Sequence, residues 1–127
     1  MATEAGADAQ ELVSTARDLV RVPTGATSGL WPRAAALLTR QSIEAAMGDL
    51  WRLRAPGMLA TTSRCQLLCL GDFLHDRDLA RRVSVAWDGL SRACHVRVYE
   101  LPPAVEELSS WMSCAWDLAE AVADLAQ

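Results

Sequence analysis

The sequence predicts an all-α protein, a five-helix up-and-down bundle folded as a single domain over residues 1–127. Three observations predict it. Apolar residues recur at steps of three and four through five successive segments. No run of apolar and polar alternation bounded by turns suggests a strand. Hydrophobic residues make up 51% of the 127 residues, enough for a packed core rather than a disordered chain.

The elements follow in order. Residues 1–7 are expected to be disordered. In QELVSTARDLVRV, Leu12, Val13, Ala16, Leu19 and Val20 share a face and leave Glu11, Arg17 and Asp18 outside it. PTGATSG, 23–29, reads as a loop from its proline and glycines. Ser28 is placed to cap the second helix, with Pro32 tolerated in the first turn. That helix is long and alanine-rich and runs through LWPRAAALLTRQSIEAAMGDLWRLR until Pro56-Gly57 stops it. TTSRCQLLCLGDFLH forms a shorter third helix with Leu67, Leu70 and Leu74 on one face. Asp76 caps a fourth, whose core stripe is Leu79, Val83, Ala86, Trp87, Leu90 and Cys94. Leu101-Pro102-Pro103 ends it, because a residue preceding proline disfavours the helical region. The fifth helix opens at Pro103 and carries the stripe Leu108, Trp111, Ala115, Leu118, Val122 and Leu125. Short connections between such helices favour a bundle.

Charge and composition narrow the function. All 12 basic residues are arginine, with no lysine and no asparagine, and Ile43 is the sole isoleucine. A high-GC coding bias produces such a skew, so arginine content alone says little about phosphate binding. A net charge of −4 argues against a broad duplex-binding surface, which needs a basic face. A small arginine cluster still suits a local site for a nucleotide or an RNA loop. MATEAGADAQEL lacks the basic and apolar regions of a secretory signal, and no stretch has the length and apolarity of a membrane span. The chain is expected to be cytoplasmic, off the membrane, with its four cysteines reduced.

The polar side of the fourth helix concentrates Ser84, Asp88, Ser91, Arg92, His95 and Tyr99 along one stripe, with Arg97 beside it. Every surface helix has a solvated face, and this is the plain reading. The residue types allow another. Histidine exchanges a proton near neutral pH, and arginine holds phosphate or stabilises developing negative charge. Arg92 and His95 are i, i+3 neighbours able to reach one group.

The helix order, RQSIEAA in the second helix and WDGLSRACHVRVYELPP before the last resemble the HEPN superfamily. These are small helical domains of bacterial defence and toxin–antitoxin systems. The likeness covers most of the chain, through an A-x-E type pattern in helix two and a Tyr-x-x-Pro ending to helix four. It implies a five-helix bundle of HEPN type and a homodimer. A nucleotidyltransferase or antitoxin-like partner is also implied. Catalytic members are metal-independent RNases carrying Arg, four to six residues, then His; two such helices meet across the dimer in one composite site. Counted from Arg92, that histidine falls at 97, 98 or 99, which are Arg97, Val98 and Tyr99. His95 is two residues short. The departure favours a non-catalytic member that binds RNA or a nucleotide through Arg92, Arg97, Tyr99, Ser91 and Asp88, or that has a regulatory role. The alternatives are an endoribonuclease using Arg92 and His95, and a helical protein–protein interaction module.

Cys65 and Cys69 stand four apart, a spacing that can hold a metal, with Cys94, His95 and His75 as further candidate ligands. They lie in three places and make no CxxC pair, so packing is expected and no metal or cofactor is assigned. Of the five tryptophans, Trp87 and Trp111 are expected in the core. Trp31 or Trp51 is expected to remain partly exposed as an interface anchor.

Overall fold

The computed structural model describes residues 5–21, 31–95 and 103–127. All the regular structure among them is helical: α1 (Ala7–Arg21), α2 (Trp31–Arg54), a 3-10 turn (Pro56–Ala60), α3 (Ser63–Leu74), α4 (Arg77–Cys94) and α5 (Val105–Leu125). Contacts set the directions. Ser42 Oγ donates to the Ala9 carbonyl at 2.7 Å and Gly6 N–H donates to Asp49 Oδ2 at 2.9 Å, so α2 runs opposite to α1. Arg17 lies over Trp116 while Gly6 abuts Ala119, so α5 also opposes α1. Gly89 faces Trp111 and Arg82 pairs with Asp117, so α4 opposes α5. Four helices therefore alternate, and α2 contacts every other helix. The alternation does not extend to α3, which folds back on the start of α4 with Gly71 facing Ala80 and packs beside the bundle.

The local chemistry explains each end. Asp76 Oδ1 accepts from Leu79 N–H at 3.0 Å and caps α4; Thr62 Oγ1 accepts from Cys65 N–H at 3.2 Å and caps α3. His75 closes α3 in the left-handed region at φ 56°. α5 starts at Val105 rather than Pro103, because Glu107 reaches back to the Ala104 N–H at 3.3 Å and fixes the start there. Two residues ahead of α1 are described with it. Ala5 packs against the core, and Gly6, at φ +84°, lies so close to the Ala119 carbonyl that a β-carbon would clash.

The core is continuous. It joins Val13 of α1, Ile43, Met47 and Leu50 of α2, Leu70 and Leu74 of α3, the Leu79–Val83–Trp87–Leu90 stripe of α4 and the Leu108–Leu118–Val122 stripe of α5. Of the two tryptophans expected to supply a partly exposed side chain, Trp31 is half-buried and Trp51 belongs to the core. It is fully buried, edge-on to Phe73 at 5.2 Å, with its indole N–H donating to Gln66 Oε1 at 3.1 Å. A buried indole needs such a partner, and Gln66, which also donates to the Met58 and Thr61 carbonyls, supplies it.

Two outcomes follow. A β-carbon at position 89 would collide with the Trp111 indole, so Gly89→Ala should lower unfolding free energy by about 1–3 kcal/mol in urea melts. Cys114 is buried, and that burial pushes its thiol up to about 11 from an ordinary 9.0. The native state thus holds a proton that the unfolded chain releases, and stability should fall as pH rises from 9 towards 11. Peptide mapping after iodoacetamide treatment at pH 8 should find Cys114 the least modified cysteine.

Candidate functional site

The directions of the helices bring the end of α4 to the same end of the bundle as the starts of α2 and α5 and the end of α1. The sequence-predicted residues gather here. Ser91 is half-buried against the body of the protein, while Asp88, Arg92 and His95 are exposed. Arg92 occupies the last turn of α4, where a cation complements the carbonyl end of the helix.

The helix itself ends sooner than its sequence suggests. Cys94 is its last residue, and His95 is the C-cap, extended at φ −89° and ψ 138°, its N–H donating to the Arg92 carbonyl at 3.2 Å. His95 is therefore not one more step on the Ser84–Asp88–Ser91 stripe. No proline enforces this break; Leu101-Pro102-Pro103 lies downstream. Arg97 and Tyr99 lie outside the described residues.

A neighbouring cluster was missed by sequence reasoning. Arg40 of α2 lays its guanidinium over the Trp87 ring, 4.7 Å from the centroid, with its Nε 3.6 Å from Glu44 Oε1. That Nε is buried and has no hydrogen-bond acceptor among the described residues. Cys94 lies beside it. Burial holds the Cys94 thiol above its ordinary value; the charges of Arg40 and Arg33 oppose this and Glu44 adds to it. The signal was the matched spacing: Arg33 and Arg40 are seven apart on α2, as are Trp87 and Cys94 on α4. Such a shelf of stacked arginine is a charge held in place by an aromatic face. Arg92 stands on the outward side of the same last turns of α4, beside Asp88.

At the other end of α4 an open groove is lined by Asp76, Asp78, Leu79, Arg82, Asp117, Glu120 and Ala121. Its charges are engaged: Asp76 caps α4, Asp78 pairs with Arg81 at 3.3 Å, and Asp117 holds Arg82 at 2.8 Å. Among the described residues no three of histidine, cysteine, aspartate or glutamate converge as metal ligands. The four-ligand set of Cys65, Cys69, Cys94 and the histidines is therefore not assembled. No protein family, curated protein or solved structure matches the chain.

Proposed function

We propose that this chain is a non-catalytic, HEPN-like helical domain that binds RNA or a nucleotide through Arg92 and Arg97 at the end of α4, with Ser91, Asp88 and Tyr99 beside them. It acts as a homodimer within a defence or toxin–antitoxin type system. The observation that carries the non-catalytic reading is the termination of α4 at Cys94. General-base catalysis requires the imidazole to be held within hydrogen-bond reach of the reacting hydroxyl. His95 stands past the last helical turn instead of on the helical face that carries the family's histidine. Phosphate attraction has no such register requirement. Arg92 is exposed and makes no ion pair with a described residue, whereas Arg52, Arg77, Arg81 and Arg82 are each paired with an aspartate.

A second reading is supported by Val85. It is 63% exposed on the outward side of α4, near the exposed Arg81, Asp88 and Arg92. An apolar centre with a charged surround suits a protein partner, such as an antitoxin-like chain.

The binding reading is tested with a mixed RNA pool in metal-free buffer. Weak retention that falls with added salt is expected, with no cleavage products on a gel. Arg92→Ala and Arg97→Ala should each weaken retention by about tenfold or more, the scale of a lost hydrogen bond to a charged group; His95→Ala should matter less. Cleavage abolished by His95→Ala would instead establish the endoribonuclease. Absence of RNA and nucleotide binding at low salt would leave the protein-partner reading. Light scattering at micromolar concentration should give twice the chain mass; monomer throughout that range would refute the homodimer.

A further inference from the structure

Cys65 and Cys69 lie one turn apart on α3, both half-buried. Residues at i and i+4 on a helix share a face with β-carbons about 5–6 Å apart. A disulfide needs them about 3.5–4.5 Å apart, so forming one would bend the helix. α3 resists bending. Gln66 ties its start to Met58, Thr61 and Trp51, and the His75–Asp76 turn fixes its end against α4. A sulfur–metal–sulfur bridge is wider. Its sulfurs stand about 4.6 Å apart, twice a metal–thiolate bond of about 2.3 Å. Two thiols rooted one helical turn apart reach that span by rotating their side chains.

The nature of the ion follows from what surrounds the pair. Zinc takes four ligands in a structural site, and among the described residues no third donor joins these two. A soft cation satisfied by two thiolates needs no third, and thiolate selects Cu(I) among the first-row metals. The surroundings suit a cation. The Asp72 carboxylate acts on Cys69 from one turn further along.

We propose that Cys65 and Cys69 form a two-coordinate dithiolate site for a soft monovalent cation, Cu(I) by its chemistry. On binding, two S–H bonds break, two S–Cu bonds form, and both protons pass to the buffer. Copper stays Cu(I), so no oxidant or reductant is consumed.

The reduced full-length chain is titrated against the Cu(I)–bicinchoninate complex. One Cu(I) per chain should be withdrawn. A second ligand on the same helix acts at high effective concentration, so Cys65→Ser and Cys69→Ser should each weaken binding roughly 100-fold. Cys94→Ser should leave it unchanged. X-ray absorption of the loaded wild type should show two sulfur neighbours, a readout that stands even if a serine variant misfolds. Failure of the wild type to compete, wild-type affinity in either variant, loss of binding in Cys94→Ser, or nitrogen or oxygen ligation would overturn the assignment.

Discussion

The close approach of α1 to α2 is the constraint on which the rest of the bundle depends. The seam is made of small side chains: Ala9, Val13 and Ala16 on one helix, and Ala35, Thr39, Ser42 and Ala46 on the other, all fully buried. Alanine lets two backbones come near, and hydroxyls are tolerated there because each finds a carbonyl. Thr39 donates within its own helix to Ala35 at 2.7 Å, and Ser42 donates across to Ala9 at 2.7 Å. The cross-helix bond also sets register, since a slip by one residue would strand a buried hydroxyl and a carbonyl. With α1 and α2 locked, α5 lies against both and α4 closes the remaining side of α2 and α5.

The elements legible in the sequence are those with one wet face. α4 and α5 present a single apolar stripe each, and the stripe residues are buried or half-buried as their spacing demands. Asp76 was legible as a cap because an acidic side chain just before an apolar run has few other roles. α2 resisted reading for the opposite reason. A helix touched by every other helix has no dominant polar side, so periodicity does not tell a buried Trp51 from a surface one. Gly89 was silent as well; only its neighbour across the interface, Trp111, explains why a side chain is absent.

The candidate site was legible in its residue types and less so in its geometry. Arg92 is exposed on α4, as its place on the polar stripe suggests, whereas His95 caps the helix instead of continuing that stripe. The end itself was misplaced, because proline is a strong stop signal and a C-cap such as His95 carries none. Arg40 was hidden because its partner Trp87 is 47 residues away, on another helix. A cation seated on an aromatic ring is a tertiary fact that local spacing does not encode.

The lateral position of α3 bears on how the protein breathes. α3 rests on α4 and on one face of α2, outside the alternating four. It can detach without parting α1 from α2, which makes it a separate unit of partial opening. Leu70 and Leu74 in the core, Phe73 edge-on to Trp51, and Gln66, which spans the Trp51 indole and two carbonyls of the preceding turn, restrain that opening. Amide protons of α3 should therefore exchange as one group, well ahead of those of α2. The free energy separating the two groups is set by the apolar contacts of Leu70, Phe73 and Leu74 together with the hydrogen bonds of Gln66.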